Sequence, residues 1–199
     1  MFELENGRAY NVISKYVNLE VTPDMIKICN LAYFEKYVTK FGYSRFNAAT
    51  VRLDNGSIYI IVSNDFDNLP KEEQNFIILN ELVRCYSHRT LENGYACGVC
   101  DFSKPVDENL LKANDSLTKL VTKLIYNEVF KKDVKDTKDT NFFNSFKEKY
   151  LSKVIGNKLS KEEFLKLYFE KHPKEFEELC KKNFTVSSLR NKLSLIWNM

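Results

Sequence analysis

The chain has 199 residues, of which 44% are apolar, 14% aromatic and 29% charged, with a net charge of +3, and this suits one domain carrying a helical extension. No apolar run reaches the roughly 18–20 residues of a membrane span, and a small charge carried mainly by Lys scattered among Glu argues against nucleic acid as a partner. "MFELENGRAY" at the start has neither the basic nor the apolar region of a secretion signal, and five Cys, an odd count, point to free thiols in a reducing, cytoplasmic compartment.

In chain order, "VTPDMIKICNLAYFEKYVTKFG" (21–42) reads as a helix. Thr22 or Asp24 can cap it, Pro23 fits its first turn, Ile28, Leu31, Ala32, Tyr33 and Val38 recur on one face, and Gly42 stops it. In "ATVRLDNGSIYIIVSND" (49–65), Asp54-Asn55-Gly56 is a strong hairpin turn between two strands. The second strand, Ile58 to Val62, is nearly all apolar, as expected of a strand buried on both faces. "NLPKEEQ" then opens a helix running to about His88, and "TLENGYACGVCDFSKPVDEN" (90–109) reads as a loop.

"DENLLKANDSLTKLVTKLIYNEVFKK" (107–132) is a long amphipathic helix with Leu110, Leu117, Leu120, Val121 and Leu124 on its inner stripe. The polar stretch 133–141 is a linker, and 142–199 reads as short helices packed on the first part. There "SKEEF" forms a capping box from Ser160 to Glu163, and Pro173 starts a further helix. The charge is concentrated in the second half: residues 1–100 carry 10 basic and 12 acidic groups, residues 101–199 carry 20 and 15. The whole is an α+β domain (1–132) with a small sheet, followed by the helical extension.

The informative stretch is "NFIILNELVRCYSHR" (75–89). With His in place of Asn80 and Arg84 it would read H-E-L-V-H. Positions i and i+4 share one helix face, so two His at that spacing grip one zinc, and the Glu between them activates the metal-bound water. The lead-in "SIYIIVSNDFDNLPKEEQNFIIL", the following "CYSHRTLENGYACGVCDF" and the downstream "ANDSLTKLVTKLIYNEVF" complete a familiar order. From about residue 24 to 132 the chain resembles the zincin metallopeptidases of the Glu-ligand type, in which a second helix supplies the third metal ligand.

The resemblance implies that Asn80 and Arg84 stand where the two His ligands would be and Asp115 where the third ligand, a Glu, would be. Lys119 takes the place of a further acid, and Glu81 that of the general base. An amide is a poor zinc ligand and a guanidinium cannot deprotonate to become one. Water without the metal keeps a pKa near 15.7 instead of about 7, so the vestigial site Asn80, Glu81, Arg84, Asp115 is expected to be dead for zinc hydrolysis. An emptied metal site needs a counter-charge for its carboxylates, and Arg84 is expected to pair with Asp115, with Glu81, or with both. The resemblance further implies a pseudo-enzyme that binds a protein or extended peptide along strand 58–62 or its hairpin partner.

Cys85, His88, Cys97 and Cys100 offer four further ligands, three thiolates and an imidazole, for a structural zinc, although the spacer between the pairs is short. Set against that are a buried Cys85, a surface His88 and two loop thiols. Thioredoxin-like chemistry wants its CxxC at a helix N-terminus, whereas "YACGVCD" is expected in a loop. Two other classes of function stay open: a hydrolase recruiting metal through Asp115, Glu81 and His88 or through the Cys set, and an assembly component of a virion or complex that oligomerises through the helices of 142–199.

Overall fold

A computed structural model describes residues 2–35, 47–53, 55–106, 108–131 and 160–170. Its elements are α1 (Phe2–Ile13), β1 (Ile26–Asn30), α2 (Leu31–Glu35), β2 (Ala48–Arg52), β3 (Ile58–Val62), α3 (Lys71–Tyr86), β4 (His88–Leu91), β5 (Gly94–Cys97), β6 (Cys100–Asp101), α4 (Glu108–Phe130) and α5 (Lys161–Glu170). This is the α+β class expected, built on two small sheets ordered β1-β3-β2 and β4-β5-β6.

The hairpin forms at the Asn-Gly signal. Gly56, at φ +83, donates its N–H to the carbonyl of Leu53, and the Leu53 N–H donates to Ser57, the bond pattern of a G1 bulge. β3 is the central strand: parallel to β1, antiparallel to β2, with four of its five residues buried, which is why its sequence lacks alternation. Its central place corrects the expectation that 58–62 could take up a peptide. Among the described residues the open edges of this sheet belong to β1 and β2.

α3 packs against β2 and β3 of this sheet and also against α1 and α4, which pack on each other. Glu72 and Glu73 face the positive end of its dipole, and Phe76, Ile77, Ile78, Leu79, Leu82 and Val83 are buried around its circumference. On α4, Leu117, Leu120 and Val121 are buried and Leu124 packs against the core from a half-buried position; the Leu110 side chain lies outside the described residues. α5 joins the same core through Phe164, Leu165, Tyr168 and Phe169. It begins at the expected capping box, in which the Glu163 carboxylate accepts from the Ser160 N–H (2.7 Å) and the Ser160 hydroxyl accepts from the Glu163 N–H (3.2 Å).

Two segments differ from the sequence reading, and a third, at the N-terminus, has no reading to differ from. The helix expected over 21–42 is a short 3-10 turn at Pro23–Met25, then β1, then α2. Ile26 and Ile28 alternate against β3, and this pairing outweighs the helical spacing of Ile28, Leu31 and Ala32. Cys29 consequently lies on a strand. The loop expected over 90–109 holds most of a three-stranded meander, with two-residue turns that pair Leu91 with Gly94 and Cys97 with Cys100. The N-terminus is a helix, α1, anchored where the Tyr86 hydroxyl donates to the Asn6 carbonyl at 3.2 Å. The linker 133–141, the helix expected at Pro173 and Cys180 lie outside the described residues.

Candidate functional site

α3 and α4 run side by side, and their polar residues meet in one cluster. The Arg84 Nη2 donates to Asp115 Oδ1 at 2.9 Å, and its Nε lies 3.4 Å from Glu81 Oε2. One guanidinium thus contacts a carboxylate from each helix, the pairing expected from the sequence. The second oxygen of Asp115 is 2.9 Å from the Lys119 ammonium. Two carboxylates therefore face two cations, and the cluster is neutral. Exposure grades outward across it: the side chain of Glu81 is 8% exposed, that of Arg84 24% and that of Asp115 40%.

Glu81 has no oxygen to spare. Asn80 donates to its Oε1 at 3.2 Å, and the Thr50 hydroxyl of β2 donates to its Oε2 at 2.7 Å. Asn80 in turn accepts from the Thr122 hydroxyl of α4 at 3.3 Å. Its N–H is satisfied within α3 and its oxygen by α4, so this position acts as a buried polar cross-link. With Arg84, the Asn80 and Thr50 donors engage three of the roughly four lone-pair sites of the Glu81 carboxylate. Burial acts to lower the pKa of Arg84, and the negative charge of Glu81, then of Asp115, overcomes it. At Asp115, burial acts upward, and Lys119, then Arg84, hold the carboxyl below its ordinary value.

Three of the four residues considered for a structural zinc turn to separate partners. Cys85 lies 3.6 Å from the Thr50 hydroxyl, and Cys97 lies 3.5 Å from both the Ser87 hydroxyl and the Arg84 carbonyl. His88, expected at the surface, is buried with its ring stacked on Tyr95 at 5.3 Å and its Nδ1 without a hydrogen-bond partner. Burial, then the charges of Arg52, Arg84 and Arg89, lower its pKa to about 3, so the imidazole is neutral. Among the described residues no group of three or more His, Cys, Asp or Glu side chains could hold a metal ion. That corrects both the Cys85/His88/Cys97/Cys100 quartet and the set formed by Asp115, Glu81 and His88.

Sequence reasoning missed Thr50, Thr122 and Arg89. Thr50 was within reach of pattern, because it alternates onto the α3 side of β2. Arg89 was not: it bonds only carbonyls, those of Tyr168 and Phe169 at 2.9 Å each and that of Gly98, tying the C-terminal end of α5 to the meander. Compared with known proteins, the chain matches no family model, no curated protein and no solved structure.

Proposed function

We propose that the protein is a zincin-like pseudo-enzyme: a metallopeptidase-type scaffold, working in the cytoplasm, that binds a protein or an extended peptide without cleaving it. The observation that carries this reading is the Arg84 guanidinium lodged between Glu81 and Asp115, at positions where the resemblance puts a divalent cation and its ligands. A permanent cation in that place satisfies both carboxylates and repels a metal. The binding surface is the open edge of β2, beside this cluster through the bond from Thr50 to Glu81.

The register tells which backbone groups that edge offers. Leu53 donates to Ser57, and Ser63 donates to Asn47. Antiparallel bonding alternates, so Val51 and Ala49 bond to β3, while Ala48, Thr50 and Arg52 turn their N–H and C=O groups outward. An added strand would pair with these three residues, its side chains fixing specificity.

The test is selection of extended peptides from a displayed library on the full chain, followed by binding and cleavage assays. Selected peptides should bind intact and lose affinity at least tenfold with Ala48→Pro, which removes an outward N–H and spares the β2–β3 bonds. Chelator-sensitive cleavage of the selected peptides would overturn the reading. So would binding that Ala48→Pro leaves unchanged.

A further inference from the structure

Cys97 and Cys100 lie outside the site just described, and their placement gives them a chemistry of their own. They are direct partners across the two-residue turn Gly98–Val99. Phe102 donates its N–H to Tyr95 at 2.8 Å, so the alternation of antiparallel bonds makes Cys97 and Cys100 the next hydrogen-bonded pair toward the turn. Such a pair has Cα atoms about 5.5 Å apart with both side chains on one face, inside the roughly 4.4–6.8 Å that a disulfide spans. Both residues are held as thiols. Burial holds the Cys97 thiol above its ordinary pKa, and Arg84, the Ser87 hydroxyl and Arg89 offset part of that rise. Gly98, at φ +58, supplies the backbone conformation that keeps the turn at two residues.

We propose that Cys97 and Cys100 are a redox modification site that takes up a low-molecular-weight disulfide of the glutathione type and closes to an intramolecular disulfide. The Cys97 thiolate attacks one sulfur of glutathione disulfide, forming a mixed disulfide and releasing one glutathione thiolate. The Cys100 thiolate then attacks the Cys97 sulfur, forming the S–S bond and releasing the second. The two electrons of the couple reduce the glutathione disulfide, and the two thiol protons pass to the glutathione thiolates. This is not thioredoxin-type catalysis, since the pair is at a β-turn and not at a helix N-terminus. Geometry sets where the equilibrium lies. Burial of both sulfurs, with Cys97 at 4% and Cys100 at 0% exposure, slows the approach to it.

The full chain is incubated to constancy in glutathione buffers of rising oxidised fraction, quenched in acid, alkylated and digested with trypsin. The fragment 90–112, bounded by Arg89 and Lys112 with Lys104 protected by Pro105, contains both thiols and no other cysteine. The expected result is a fragment lighter by two hydrogens and without alkylation, which dithiothreitol converts back to the doubly alkylated form. A fragment alkylated twice at every glutathione ratio would overturn the proposal. So would an end state carrying a single glutathione adduct, or thiols that become reactive only after a chelator removes bound zinc.

Discussion

Removing the Arg84 guanidinium gives the most quantitative handle on the cluster. Arg84→Met keeps most of the aliphatic volume and deletes the contacts at 2.9 Å to Asp115 and 3.4 Å to Glu81. A hydrogen bond to a charged group contributes about 1.5–3 kcal/mol, but the two carboxylates are not equivalent. Asp115 is 40% exposed and keeps Lys119, so its share falls to about 1 kcal/mol. Glu81 is 8% exposed and would be left charged with only neutral donors, which costs about 2 kcal/mol. The expected loss is therefore about 3 kcal/mol, read as a shift of the urea midpoint at constant m-value. A double-mutant cycle with Glu81→Gln should return a coupling energy of about 2 kcal/mol. A loss within about 0.5 kcal/mol, the range of an ordinary surface substitution, would mean that the guanidinium does not neutralise these carboxylates.

Two further outcomes follow from the same structure. Gly98→Ala would place a Cβ 2.1 Å from Asn114 Oδ1, at φ +58, and would break the bond from the Val99 N–H to Asn114 at 2.9 Å. Overpacking and a left-handed Ala together cost about 3 kcal/mol or more, which lowers the melting temperature by about 6–12 °C in a chain of this size; an unchanged melting curve would contradict the packing around the turn. Folding lowers the proton affinity of His88 from the usual pKa of about 6.5 to about 3, so below pH ~6.5 the unfolded chain binds more protons than the folded one. The His88 contribution is fully present above that pH and falls by about 1.4 kcal/mol per unit as pH drops toward 3. Urea titrations between pH 7 and pH 5 should show this slope in the wild type and its absence in His88→Gln; equal slopes would place the imidazole in water.

Much of the fold can be read from local chemistry. The hairpin at Asn55-Gly56, the helix opened by Glu72 and Glu73, and the long apolar stripe of α4 each carry a signal that tertiary contacts reinforce. β1 does not: five residues whose apolar positions also suit a helix become a strand only because β3 lies beside them. The meander is similar, since its strands of two to four residues cannot persist alone, and their turn signals read equally well as a loop. At the site, the spacing of Glu81 and Arg84 along one helix made their contact legible. The Asp115 partnership required α3 and α4 to be neighbours, which the order of motifs suggested. Thr122 and Arg89 depend on side-chain contacts across elements, and no spacing along the chain encodes them.

The central claim is that Arg84 stands in for a metal. The variant Asn80→His/Arg84→His/Asp115→Glu tests it by giving the cluster the ligand set that the resemblance implies, with circular dichroism confirming that the chain stays folded. Isothermal titration with zinc should find one tight site per chain in that variant and none in the wild type. A stoichiometric zinc site in the wild type, or none in the folded variant, would contradict the account.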